Sequence, residues 1–294
     1  METKKTKLRF NIFDVAIIAL VLAALAAALL LRDRAAGTET ARGTRSIRYT
    51  VELAKVPANM AEQMKPGSAV YRSTDSAYLG KVVDARCVPH VENEFSSAAG
   101  GFVRFEYAES YDVYLTVEGE GYSTARDIVV EGASPKICGE MYVKGKGYAR
   151  MGYVCAIDPM DAPIVANTEV GTGSLEATYV IRLEDMREML LDCVHVGDRL
   201  YESVTKSLLG EVVEVWTEPY GETHPMADGT GRFCEKPDVY NLYIRLKGRA
   251  VEKDDGYYLD GGTELKVGAA VIAISQYVDR TGVFYALESI EPVN

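Results

Sequence analysis

The chain has 294 residues, 48% apolar and 26% charged, with 32 Lys and Arg against 43 Asp and Glu. That balance excludes a globally disordered or collagen-like chain, and the length suits two domains. The formal charge of −11 argues against a nucleic-acid partner, because a phosphate backbone rewards clustered cations and repels a net-acidic surface.

The first predicted element is apolar. Val15 to Leu31 reads VAIIALVLAALAAALLL, seventeen residues without a polar side chain, and Phe10, Ile12 and Phe13 extend it. At about 1.5 Å per residue, about 22 residues cover roughly 30 Å, the hydrocarbon thickness of a bilayer. The expectation is a cytoplasmic lead over residues 1–11, carrying Lys4, Lys5, Lys7 and Arg9, followed by a transmembrane helix over 12–31. Asp14 falls near the basic end, where a carboxylate reaches headgroups and water. The apolar run continues through Leu31, past the small residues that would suit cleavage, so an uncleaved signal anchor is expected. Arg32, Arg34, Arg42, Arg45 and Arg48 nearly balance the cations before the span. The short basic lead nevertheless favours a single-pass protein of the cell membrane with its bulk extracytoplasmic, the lipid bilayer being its first partner. Residues 32–46 have no apolar period and many small side chains, as in a flexible stalk.

Sliding the chain on itself by 130 positions aligns residues 49–89 with 179–219. Ten identities occur in 41 gap-free positions, among them Tyr49/Tyr179, Leu53/Leu183, Gly67/Gly197, Tyr71/Tyr201, Leu79/Leu209 and Pro89/Pro219. Further on the offset slips by one, matching Gly119/Gly248, Gly139/Gly268 and Tyr148/Tyr277, and returns at Gly152/Gly282. This predicts two related domains, 47–157 and 178–294, joined by a linker over 158–177. The shared glycines and tyrosines should then sit in like surroundings.

Within each unit the pattern is mostly strand. Tyr49–Leu53 and Tyr179–Leu183, Lys81–Ala85 and Glu211–Val215, Val113–Val117 and Tyr240–Leu246, and Glu140–Val143 and Ala269–Ile274 are β-rich runs bounded by turn residues. Val56, Met60 and Met64, with their mates Met186, Leu190 and Val194, are spaced by four, which predicts one short helix per unit laying an apolar stripe on a sheet. The expected fold is mainly β: an N-terminal transmembrane helix followed by two tandem small β-barrel or sandwich domains.

The order of these motifs is an N-I-F-D-V opening to one span, then YTVEL, G-S-A-V-Y-R-S, Y-L-G-K-V-V-D-A and V-Y-L-T-V-E. It resembles the single-pass membrane family known as domain of unknown function 4330, over most of residues 8–155. The second half, through G-D-R-L-Y-E-S and L-L-G-E-V-V-E-V, resembles a divergent further copy of its soluble module. The resemblance implies a membrane anchor with β-rich units and supplies no activity. More loosely, the G-x-x-V to L-G-x-V turn is similar to lipid-transporting mammalian-cell-entry domains and to PRC-barrel domains. The long helical tail with which many mammalian-cell-entry proteins build a channel is missing.

Candidate chemistry is sparse. None of Cys87, Cys138, Cys155, Cys193 and Cys234 has a Cys at its repeat-equivalent position, as expected of isolated buried thiols rather than a disulfide framework. Cys193-Val-His195 looks like a ligand pair, but no second pair lies nearby to complete a zinc set. His90, His195 and His224 are not shared between the repeats, and no nucleophile elbow, phosphate loop or calcium loop occurs, so no catalytic residue, metal or cofactor is expected. The most informative segments are His90–Ser110 and Tyr220–Pro237, long, Gly-containing and unlike one another within a shared framework. As loops on a rigid scaffold they would be where binding resides, with Phe95, Phe102, Phe105 and Phe233 as apolar anchors for an envelope protein or other envelope component. The blander alternative is that they are tolerated insertions or extended hairpins tucked against the barrel. The expected function is a non-catalytic, membrane-anchored binding or assembly scaffold. The alternatives are a lipid-handling module of the mammalian-cell-entry kind and an enzyme with an unrecognised site.

Overall fold

The computed structural model describes residues 44–124, 126–158 and 171–293, which belong to one compact unit, Arg42–Asn294. The expected lead, transmembrane helix and most of the stalk, and positions 159–170 of the expected linker, lie outside the described residues. Among the described residues no helix is long and apolar enough to cross a membrane.

The first half folds into β1 (Arg45–Pro57), β2 (Ala69–Arg72), β3 (Tyr78–Ser96), β4 (Gly101–Ser123), β5 (Ile128–Val130), β6 (Glu140–Gly145) and β7 (Tyr148–Asp158). Their order is β1-β7-β6-β2-β3-β4-β5, and β1 pairs back onto β4, so six strands close into a barrel with β5 appended to β4. The second half supplies β8 (Leu175–Arg187), β9 (Arg199–Glu202), β10 (Leu208–Pro225), β11 (Gly231–Lys253), β12 (Gly256–Leu259), β13 (Ala270–Ile274) and β14 (Asp279–Pro292). Its ring, β8-β14-β13-β9-β10-β11, closes through β8 and β11 in the same order, with β12 on β11. Each domain is thus a barrel rather than a sandwich, and closure leaves no open sheet edge in the ring.

Alternation along the strands fills each interior. Tyr49, Val51 and Leu53 of β1 and Val113, Leu115 and Val117 of β4 are buried, as are Tyr179, Ile181 and Leu183 of β8 and Leu242, Ile244 and Leu246 of β11. An eight-stranded barrel is only just wide enough for side chains, and six strands enclose less. The tyrosine hydroxyls answer a buried carbonyl: Tyr49 Oη donates to Leu79 O at 3.0 Å and Tyr179 Oη to Leu209 O at 2.8 Å.

The repeat also appears in the backbone. Gly67 and Gly197 take φ of 90° and 93°, and their amides donate to Val82 O and Val212 O at 2.7 and 2.8 Å. Gly152 and Gly282 sit where β7 and β14 cross their neighbours: a Cβ would lie 2.4 Å from Glu52 O in one and 2.7 Å from Arg182 O in the other.

Several expectations are corrected. Each unit does carry one short helical element, an α-helix over Ala58–Ala61 and a 3₁₀ helix over Glu188–Cys193, but both are shorter than the apolar spacing suggests. Val56 and Met186 belong to the preceding strands, and Val56, Met64, Met186, Leu190 and Val194 are all buried, so the apolar stripe runs from strand through helix. The expected stalk ends early, since Arg45 and Ser46 already pair with Gly121 and Glu120, and the second domain begins at Leu175. The matches Gly139/Gly268 and Tyr148/Tyr277 are each off by one. Cys138 N donates to Val154 O at 2.9 Å as Gly268 N does to Phe284 O at 2.8 Å, so Cys138, at φ 70°, stands where the second barrel has glycine. Met141 pairs with Gly152 as Val271 pairs with Gly282, which makes Val278 the counterpart of Tyr148.

The barrels meet along a polar seam. Glu52, 2% exposed, receives both terminal nitrogens of Arg187 and the Tyr114 hydroxyl, the latter at 3.2 Å. On the other side Ile137 bridges in parallel to Val278, its amide donating to Tyr277 O at 2.5 Å and its carbonyl accepting from Asp279 N at 3.1 Å. Lys136 Nζ donates to Ser275 O, Gln276 Nε2 to Thr124 O, and the Arg126 guanidinium lies 4.9 Å over the Tyr201 ring. The seam explains why one expected equivalence fails: Tyr201 is 3% exposed, whereas Tyr71, on the same strand of the other barrel, is 39% exposed.

Candidate functional site

The two segments are extended hairpins, the alternative to loops, and their arms are strands. Val91–Ser96 of β3 pairs with Gly101–Glu106 of β4 around the turn at residues 97–100, and Gly221–Pro225 of β10 pairs with Gly231–Glu235 of β11. Each hairpin leaves its barrel through the same device. Pairing jumps from Pro89↔Tyr111 to Val91↔Glu106, and from Pro219↔Tyr240 to Gly221↔Glu235, so a large bulge sits on one strand. The bulges contain Glu109 and Asp238 at φ 57° and 60°. Such bulges bend a strand and re-aim the hairpin beyond them.

Bent this way, the hairpins lie against each other as one arm. The His224 imidazole stacks on Phe95, centroids 3.9 Å apart and planes within 5°, and Phe102 meets it edge-on at 5.3 Å. Asn93 Nδ2 donates to Pro237 O at 3.2 Å, and Cys234 Sγ to Gly100 O at 3.8 Å. Phe95 and Phe102 are therefore engaged in holding the arm together. Phe105 and Phe233 remain 45% and 61% exposed, the Phe233 ring lying over Gly221. The four phenylalanines divide into an internal lock and an outward pair, with His224 as a lock residue that the sequence did not single out for binding.

A charged knot holds the root of the arm. His90 contacts Asp112 through Nδ1 at 2.7 Å and Glu92 through Nε2 at 2.9 Å. Tyr107 Oη donates to Glu92 at 2.9 Å and to Glu94 at 3.0 Å, while Lys55 Nζ reaches Glu92 at 3.2 Å and lies 4.1 Å over the Tyr107 ring. Burial opposes charge on His90, but hydrogen bonds donated to Glu92 and Asp112 outweigh it and raise its pKa above 6.5. Hydrogen bonds from His90, Tyr107 and Lys55 hold Glu92 at about 2, well below 4.5. The raised His90 pKa means a contribution to stability that is complete below pH 6.5 and lost as pH climbs through the folded value. Glu92 contributes above pH 4.5 and loses its share as pH falls towards about 2. The root is accordingly tightest between these limits. In an NMR titration of the His90 ring protons, Glu92→Gln is expected to lower the midpoint; an unchanged midpoint would show that Glu92 does not hold the imidazolium.

The remaining candidates do not converge. The Cys193 thiol is in the core whereas the His195 side chain is 56% exposed, pairing with Asp192 at 2.9 Å. Burial raises the pKa of the Cys87 and Cys193 thiols and pushes those of Cys138 and Cys155 up to about 11, the opposite of what an activated nucleophile needs. All five cysteines are free thiols. Among the described residues no three His, Cys, Asp or Glu side chains are placed to hold a metal ion.

Fold and arm together define a tandem of six-stranded barrels whose variable hairpins join. The chain belongs to the family described as domain of unknown function (DUF4330), whose model matches residues 4–158, the first barrel and the segment before it. No curated protein and no solved structure matches the chain.

Proposed function

We propose that the protein is a membrane-anchored, non-catalytic scaffold of the cell envelope, that its second barrel is a divergent copy of the family module, and that the paired arm is its contact site for a protein partner. The observation that carries this reading is the arm itself. Two hairpins that differ in sequence, on barrels alike in strand order, are bent by matching bulges into mutual contact and leave Phe105 and Phe233 facing solvent. Exposed aromatics on a rigid element are favoured anchors for protein contacts, since they bury large area at low entropic cost. The anchor rests on the apolar run Val15–Leu31. Barrel interiors filled by Tyr49, Leu53, Tyr179 and Leu183 favour a scaffold over a lipid carrier, which requires an apolar cavity.

The test is crosslinking with mass spectrometry on the full chain in native membranes, comparing it with the Phe105→Ser/Phe233→Ser variant. Both side chains are exposed, so the fold should persist. Partners crosslinked to the wild type are expected to fall by about tenfold or more, as for loss of two aromatic anchors. An identical partner list would overturn the arm as contact site.

A further inference from the structure

The seam between the barrels is one-sided. The first barrel offers its Lys136-Ile137 edge, and the second receives it on the Ser275–Asp279 turn and Tyr201. Each barrel has the counterpart of both surfaces, because strand order and register are shared. The second barrel's version of the offered edge is Lys266-Val267, one step before Gly268, the counterpart of Cys138. Ile137 is 7% exposed within the seam, while Val267 is 59% exposed. The first barrel's version of the receiving surface is the Gly145–Tyr148 turn with Tyr71, and Tyr71 is 39% exposed against 3% for Tyr201. Head-to-tail contacts of this kind leave one offering and one receiving surface open, and they propagate between copies unless a ring closes.

We propose that a second copy of this chain docks head to tail, the Lys266-Val267 edge of one copy seating on the Tyr71 and Gly145–Tyr148 surface of the next. Charge supports self-pairing over exact repetition of the internal seam. At the open offering edge the exposed carboxylates Glu252, Asp254, Asp255 and Glu264 outnumber the exposed Lys253 and Lys266, with Asp254 and Asp255 where the internal seam carries the Arg126 segment, and on the open receiving surface Lys144 and Lys146 are exposed. Acidic and basic side chains so arranged attract between copies and disfavour the reverse orientation. The receiving turns also differ in backbone: Gly147 has φ 88°, whereas the residue in its place, Tyr277, has no positive φ. The peptide at Gly147 is therefore oriented differently, and the paired charges carry more of the docking than the backbone bridge does.

The experiment places a photo-crosslinking amino acid at Val267 in the full chain in its own membrane. A dimer adduct is expected whose linked peptide contains Tyr71 or Gly145–Tyr148. Asp255→Lys and Lys146→Glu are each expected to reduce the adduct by at least about fivefold, and the double variant to restore it, as charge reversal across a contact requires. All these positions are exposed, so folding is not at issue. Absence of a dimer adduct, an adduct to another part of the chain or to a different protein, or failure of the double variant to recover would each overturn the proposal.

Discussion

Glu52→Ala is expected to destabilise the tandem by about 2–4 kcal/mol, measured as a shift in the urea midpoint at neutral pH. The carboxylate is 2% exposed and satisfies both terminal nitrogens of Arg187 and the Tyr114 hydroxyl, so its removal leaves the guanidinium without its carboxylate and the phenol with only Met189 Sδ at 4.0 Å. Breaking a fully enclosed pair costs about 3–5 kcal/mol, and the lower range applies because the Arg187 side chain is 42% exposed and water screens it. Two features make the experiment decisive. Arg187→Met in the Glu52→Leu background should recover much of the loss, since an apolar pair avoids desolvating two charges. Limited proteolysis should also find new cuts near the seam in Glu52→Ala. A variant as stable as wild type would mean that Arg187 gains water when the Glu52 carboxylate is removed, and that the seam is looser than the geometry implies.

The second large effect lies at the strand crossings. Gly152→Ala and Gly282→Ala are each expected to cost about 2–3 kcal/mol, because the new methyl group would approach Glu52 O to 2.4 Å and Arg182 O to 2.7 Å. Both obstacles are backbone, which yields only if the pairing of β7 with β1, or of β14 with β8, opens. Thermal denaturation of the two variants should give losses of similar size, as equivalent positions in equivalent barrels demand. If one were neutral and the other severe, the two barrels would not share the same closure.

Much of the barrel was legible because its determinants are local and occur twice. Tyr49/Tyr179 and Leu53/Leu183 mark the strand that closes each ring, and Gly67/Gly197 mark the turn into the next strand, where a positive φ is needed. The helix in each unit was legible but its length was not, because spacing by four over so few positions does not separate a longer helix from one helical turn after the end of a strand. The one-residue errors at Gly139 and Tyr148 came from matching like residue to like, glycine to glycine and tyrosine to tyrosine, whereas Cys138 adopts the left-handed conformation that Gly268 adopts in the other barrel and Val278 stands in the place of Tyr148.

The arm was partly legible. Val91-Glu-Asn-Glu-Phe95 and Phe102-Val-Arg-Phe-Glu106 alternate on either side of Ser-Ser-Ala-Ala-Gly, a hairpin signature that favours the hairpin alternative over a loop. The division of labour among its phenylalanines was not legible. Phe95 and Phe105 have the same chemistry, and only the approach of His224 from the other hairpin makes one a lock and leaves the other outside.

Taken alone, the sequence determined the class of the protein: a mainly β chain of two related units behind an apolar segment, with a net-acidic surface. Periodicity and duplication are properties of neighbouring residues, and burial along a strand results from them directly. The tertiary structure alone decided that six strands close each ring, that Glu52 meets Arg187, that the hairpins fuse into one arm, and that Tyr201 is covered while Tyr71 is not. Each of these depends on groups brought together from far apart in the chain, where a bulge or a one-sided seam sets the direction of approach and no local pattern records it.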